Sequence, residues 1–154
     1  RIILRRGRMR RGARAESEGA RPLVNASFDH GSLAGWKATG DAFATWQRPD
    51  GSWELTTYAD PAGDAVTGTL SQTFTVPADA SELRCILRGG SESIRLVHEG
   101  EIVRESRGPR TNDADRMVRW KIDDRRGEML TIEIVDQSKE PWGFLTVRRI
   151  ELVP

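Results

Sequence analysis

The chain has 154 residues, 37% of them hydrophobic and 31% charged, which is enough for one domain with an appendage and for an apolar core that holds without covalent staples. A single cysteine, Cys85, excludes an intrachain disulfide framework and any zinc site built on two or more thiolates. No apolar run approaches the roughly 18 residues of a membrane span or the apolar stretch of a signal peptide, so no membrane insertion is expected, and the net charge of +1 divides into +6 over residues 1–21 and −5 over the rest.

In chain order, residues 1–21 come first, with eight arginines against Glu16 and Glu18. They read as a basic, disordered linker or fragment boundary, because isolated charge runs are usually solvated, and the opening Arg1 in place of Met points to a piece of a longer chain. Nucleic-acid binding by this arm through phosphate contacts is the lesser reading. Residues 22–154 form the folded module, in which short β-branched and apolar runs alternate every eight to twelve residues with Gly, Pro, Asp or Asn clusters. Strands are expected at Leu23–Phe28, Gly35–Thr39, Ala42–Gln47, Trp53–Tyr58, Gly68–Val76 and Glu82–Arg88. Further strands follow at Ser93–Glu99, Ile102–Ser106, Val118–Ile122, Met129–Asp136 and Phe144–Val153, and no segment has the pattern of a helix of three turns.

Hairpin turns are expected at Arg48–Ser52 and Glu99–Glu101, each with a glycine where a positive φ is needed. Alternation puts Leu83, Cys85 and Leu87 on one face, so Cys85 reads as a small buried hydrophobe. Leu145 and Val147 share a parity that Ile150 and Leu152 break, which calls for a bulge near Arg148 and Arg149. Phe28, Trp36, Phe74 and Trp120 read as core.

Taken as a string of motifs, residues 25–152 resemble a known family. The motifs are Asn25-Ala26-Ser27-Phe28-Asp29-His30-Gly31-Ser32-Leu33-Ala34-Gly35-Trp36, Gly40-Asp41-Ala42-Phe43, Gly68-Thr69-Leu70-Ser71, Gly89-Gly90, Ile94-Arg95-Leu96-Val97, Trp120 with Gly127, Ile134-Val135-Asp136 and Trp142-Gly143. Together they are similar to the galactose-binding-like jelly-roll module found C-terminal to levanase and sucrase-type glycoside hydrolases and in some multidomain surface proteins. The resemblance implies an all-β fold, an antiparallel β-sandwich of jelly-roll type, in an extracytoplasmic or secreted parent. It also implies a structural calcium held by oxygens of the first turn and last strand. Arg148 and Arg149 replace the family's acidic pair and offer no oxygen ligand, so the calcium is not carried over and no cofactor is expected; Asp29, His30 and nearby carbonyls make at most half a site. Phe144 stands where a His commonly follows the Trp-Gly pair.

Raw material for catalysis is thin. His30 and His98 are the only histidines, no nucleophile elbow is present, and Asn112-Asp113-Ala114-Asp115 lacks the glycine and distal Glu of a calcium-binding hand loop and reads as a plain turn. Binding has more support, because sugars stack on exposed aromatic rings. Trp46 and Trp53 flank the Pro49-Asp50-Gly51 turn and Tyr58 precedes an acidic loop, so these three are the candidate ligand-binding residues; the alternative is a cross-strand aromatic pair that only stabilises the hairpin. Trp142 reads either as a structural wedge or as part of a site. The expected function is that of a non-catalytic carbohydrate-binding or substrate-targeting module, with a polysaccharide or glycan and an attached catalytic or surface domain as partners. The alternative is a structural or protein-interaction sandwich docked on its parent domain, with Arg148 and Arg149 as its ionic edge.

Overall fold

The computed structural model describes residues 19–58 and 63–154. Ten strands form two antiparallel five-stranded sheets. The first contains β1 (Lys37–Gly40), β4 (Gly68–Thr75), β9 (Met129–Asp136), β6 (Ser93–His98) and β7 (Glu101–Arg107), in that spatial order. The second contains β2 (Ala44–Gln47), β3 (Trp53–Thr56), β10 (Thr146–Val153), β5 (Glu82–Gly89) and β8 (Thr111–Lys121). The expected antiparallel β-sandwich is therefore the fold. Its core lies between the inner faces, where Leu70 and Phe74 of β4 and Leu130, Ile132 and Ile134 of β9 meet Leu55 of β3, Leu83 and Leu87 of β5 and Val147 of β10, all fully buried. Each such side chain removed from water contributes roughly 1.5–3 kcal/mol. Cys85 is buried in the same cluster, and its desolvation pushes the thiol up to about 12, which suits a small core residue and not a nucleophile.

Both hairpins form where expected. The Arg48 amide donates to Ser52 O at 2.7 Å with Gly51 at φ 90°, and the β6–β7 turn has Glu99 at 49° and Gly100 at 84°. The bulge also forms: pairing of β10 with β5 shifts between Arg148 and Glu151, and Arg149 adopts φ 56°. That extra residue keeps Ile150 buried in the core, as Val147 is.

Two expectations are corrected. Leu23–Phe28 is not a strand, because Asn25 and Phe28 take φ of 48° and 53°, and the Gln72 side-chain amide exchanges hydrogen bonds of 2.8 and 2.9 Å with the Val24 backbone in place of a ladder. Asn112–Asp115 is not a turn but lies within β8, which begins at Thr111. Residues 112–117 of this edge strand are all exposed, so its outer half carries no alternation to read. Residues 1–18 of the basic arm lie outside the described residues. Arg21, the last residue of that segment, is joined to the sandwich through its backbone: its carbonyl accepts from the Thr75 amide at 2.7 Å and its amide donates to Thr75 Oγ1 at 2.9 Å.

Candidate functional site

The outer face of the second sheet carries the densest chemistry. Residue parity turns Leu55 into the core and Glu54 and Thr56 outward on β3, and pairing sets Trp46 of β2 opposite Glu54 and Thr146 of β10 opposite both Thr56 and Arg88. Glu54 is the hub, only 2% exposed on what is formally an outer face. Its Oε1 accepts from Trp46 Nε1 at 2.9 Å and Arg88 Nη2 at 2.8 Å; its Oε2 accepts from Arg48 Nη1 at 3.0 Å and Arg148 Nη1 at 3.4 Å. All four acceptor positions of the carboxylate are thus used. Arg148 reaches on to Asp115 at 2.9 Å, and this guanidinium holds the Asp115 carboxyl below its ordinary range. Asn112 Oδ1 accepts from Arg88 at 3.5 Å.

Beside this polar floor rises an aromatic wall. The segment before β10 folds over the sheet end and places Trp142 and Phe144 in a stack 5.8 Å apart at 17°, with the Tyr58 ring meeting Phe144 edge-on at 5.1 Å. Glycine makes this possible at Gly89 and Gly90, where a Cβ would overlap the Phe144 ring and the backbone of Trp142 and Phe144 respectively. The segment is tied down by Ser91 N to Trp142 O at 2.9 Å and Glu92 N to Phe144 O at 3.3 Å. Between floor and wall lies a cleft of about 370 Å³ lined by Trp46, Tyr58, Asp64, Arg88, Asn112, Pro141, Trp142, Phe144 and Thr146. Trp46 and Tyr58 are 42% and 37% exposed, so their rings have face to offer, and among the described residues Asp64 Oδ1 has no hydrogen-bond partner. A wider depression of about 420 Å³ near Trp36 has only that one aromatic ring in its lining.

Of the three rings selected from sequence, Trp46 and Tyr58 line one cleft. Trp53 does not join them. It pairs with Gln47, not Trp46, shares the inward parity of Leu55, and packs on the core and against Gly31. A platform of all three rings is therefore not formed, since residues 46 and 53 project from opposite faces of the hairpin. Sequence reasoning reaches Asp64 as part of the acidic loop after Tyr58 but does not find Arg88, Asn112, Phe144 or Thr146. The nearest signals were Gly89-Gly90, which marks a close backbone approach, and Trp142, which was noted without a partner.

The first-turn and last-strand position of the calcium implied by the resemblance does not suit that ion. Asp29 and His30 are exposed, Arg148 is committed to Glu54 and Asp115, and Arg149 occupies the bulge. No group of three or more His, Cys, Asp or Glu side chains gathers among the described residues.

No protein-family model and no curated protein matches the sequence. Solved structures do match in shape. The carbohydrate-binding module TmCBM61, in complex with β-1,4-galactotriose, superposes with a TM-score of 0.57 at 15% identity, over 86% of this chain and 97% of that one. The fold shared with it is the two-sheet antiparallel β-sandwich. CsCBM6-3 from Clostridium stercorarium, in complex with cellobiose, gives a TM-score of 0.52 at 12% identity, over 75% of this chain and 85% of that one. The enzymatically active domain of tailspike protein 4 of bacteriophage CBA120 gives 0.56 at 13% identity; 87% of this chain aligns, spanning 22% of the tailspike chain. The sandwich thus corresponds both to nearly whole carbohydrate-binding modules and to one part of a larger protein.

Proposed function

We propose that this chain is a non-catalytic carbohydrate-binding module whose ligand lies in the cleft between Trp46 and the Trp142–Phe144 stack. The observation that carries the reading is the juxtaposition of exposed ring faces with fixed polar groups of both kinds, Arg88 as donor, Asp64 as acceptor and Asn112 as either. A pyranose or furanose ring has an apolar C–H face for the indoles and hydroxyls for the rim. Glu54 is the site's best-placed carboxylate, yet its acceptor positions are filled, so it anchors the floor and has no free oxygen with which to move a proton. The resemblance noted from sequence supports a place beside a glycoside hydrolase or in a surface protein, extracytoplasmic or secreted. The rival, an ionic docking edge at Arg148 and Arg149, is weakened because the Arg148 guanidinium is already paired within the cleft floor.

The test is isothermal titration calorimetry of residues 19–154 against cello-oligosaccharides, β-1,4-galacto-oligosaccharides and β-fructans. We expect a dissociation constant between about 1 μM and 1 mM, as shallow polar contacts imply, for at least one of them. Trp46→Ala and Trp142→Ala should each weaken it by roughly tenfold or more, whereas Trp53→Ala should leave it within about twofold in the folded fraction. Binding that survives both cleft substitutions would place the sugar elsewhere.

A further inference from the structure

Behind the aromatic wall two acids meet. Asp136 closes β9 and has the inward parity of Leu130, Ile132 and Ile134, so its carboxyl points into the space between the sheets, where it is 0% exposed. Two side chains touch it: the Thr57 hydroxyl, just past the end of β3, and the Glu92 carboxylate, in the crossover from β5 to β6. Neither meets an Asp136 oxygen in regular hydrogen-bond geometry. From the flanking strands of its own sheet, β4 sets Gly68 opposite Asp136 and β6 sets Ser93 opposite Val135, and neither carries a charge. The charged group that acts on Asp136 is Glu92. Arg107 of β7 donates to Ser91 O at 3.2 Å, Lys139 is exposed, and no arginine, lysine or histidine among the described residues pairs with either acid.

The two partners of Asp136 are also the clasps of the segment 137–145, which carries Trp142 and Phe144 into the cleft. At its start, Glu92 Oε2 accepts from the amides of Gln137 and of Ser138, the latter at 3.1 Å. At its end, Thr57 Oγ1 accepts from the Leu145 amide at 2.9 Å and the Thr57 amide donates to Leu145 O at 2.9 Å. Between them, the Glu92 amide donates to Phe144 O at 3.3 Å. Asp136 therefore sits where a change of its charge is felt at both ends of the wall.

Two ionised carboxylates in contact are both acceptors, and burial without a counter-charge makes the doubly charged pair costly. One proton turns the same contact into an O–H···O⁻ bond, short and charge-assisted. We propose that Asp136 and Glu92 share one proton and form a pH-sensitive latch on the aromatic wall, closed while Asp136 is protonated and released when that proton is lost. Its consequence for ligand rests on the sugar-cleft reading. Glu92 already accepts from two amides, so the proton resides on Asp136, which donates to Glu92. Loss of the proton leaves two anions face to face. Glu92 is the half-buried partner and turns toward water, and its hold on the Gln137 and Ser138 amides goes with it. The Trp142–Phe144 stack then loses the anchor at the start of its segment. Burial, and after it the Glu92 charge, push the Asp136 carboxyl from 3.8 up to about 7 against the opposing pull of Thr57, which sets the release near neutral pH. A carboxyl raised in this way keeps its proton in the folded chain and loses it in the unfolded one, so stability falls as pH rises from about 4 to 7 and then levels off.

The experiment has a ligand-free arm and a sugar arm, both on the full chain. In the first, amide hydrogen exchange over residues 137–145, read by mass spectrometry, is compared between the native chain and Asp136→Asn at pH 6 and at pH 8.5. Comparing two chains at one pH cancels the intrinsic pH dependence of exchange, and the asparagine amide donates to Glu92 at either pH, which keeps the latch closed. We expect equal exchange at pH 6 and, at pH 8.5, exchange at least about threefold faster in the native chain. Glu92→Gln, whose amide donates to an ionised Asp136, should match Asp136→Asn at pH 8.5 and serves as the reference if the asparagine variant fails to fold. In the sugar arm, cello-, β-1,4-galacto- and β-fructo-oligosaccharides are titrated at the same two pH values. The affinity of the native chain should fall at least about threefold at pH 8.5, and that of Asp136→Asn should stay within about 1.5-fold. Exchange in the native chain equal to that of both variants at pH 8.5 overturns the latch, whatever the sugars do. Faster exchange at pH 8.5 in a chain that binds none of the sugars upholds the latch and overturns the sugar reading, so the two fail separately.

Discussion

At the scale of single residues, the cleft floor shows how a carboxylate can be buried on a solvent-facing sheet. Glu54 is tolerated there because two donors reach each of its oxygens, and Arg148 is oriented between Glu54 and Asp115 by opposite charges on either side. The Asp115 carboxyl is held below its ordinary value of 3.8 first by its hydrogen bond from Arg148 and then by the charge of that residue. A carboxyl whose folded pKa is lowered contributes stability that is fully present above the unfolded value and is lost as pH falls through the folded one. Asp115→Asn should therefore reduce stability at pH 7, by under about 1 kcal/mol because the pair is partly exposed and screened. The difference from the native chain should shrink as pH falls through the lowered folded value of this carboxyl. Urea unfolding at pH 7 and pH 2.5 measures this, and a difference that persists at the acid end would mean that Asp115 acts through packing and not through its charge.

At the scale of elements, what was legible in the sequence is what burial writes into alternation. β4, β5, β6 and β9 alternate over a buried face and were located within a residue or two, and the parity break at Arg148-Arg149 announced the bulge. The outer half of β8 was misread as a turn because an exposed edge strand has no apolar face, and Leu23–Phe28 was misread as a strand because its apolar residues pack from an irregular segment held by the Gln72 amide. The site was half legible for the same kind of reason. Exposed rings can be picked out by type, but a one-residue difference in pairing register decides which face each ring takes, and Arg88, Asn112 and Phe144 reach the cleft only through long-range sheet order. The bulge itself carries a measurable strain. Arg149 sits at φ 56°, a left-handed conformation that costs a non-glycine residue about 1 kcal/mol or more, and its side chain is exposed. Arg149→Gly should thus raise stability by up to about 1 kcal/mol, offset in part by the extra freedom of glycine in the unfolded chain. A loss of more than about 1 kcal/mol in urea unfolding would show that the guanidinium makes a contact worth more than the strain it imposes.

At the scale of the whole molecule, nearly every sheet neighbour is remote in sequence: only β2–β3 and β6–β7 are consecutive strands, and the other pairs are joined by crossovers. The cleft inherits this topology. Trp46, Tyr58, Asp64, Arg88, Asn112, Trp142 and Phe144 come from the full length of the sandwich and meet because β10 inserts between β3 and β5, so the last strand closes a site that the first hairpin opens. A ligand that needs all of these groups binds the folded chain and not the unfolded one, and its binding energy then appears as global stability. At ten times its dissociation constant, the oligosaccharide identified by titration should stabilise the protein by about 1.4 kcal/mol, which corresponds to a rise in melting temperature of roughly 4–6 °C for a domain of this size. Differential scanning calorimetry with and without ligand provides the check, and the transition should move as a single peak because one core cluster spans both sheets. Saturable binding with an unmoved transition would mean that the ligand contacts a part of the chain that does not unfold with the sandwich. The cleft between Trp46 and Trp142, which exists only when β10 is in place, is not such a part.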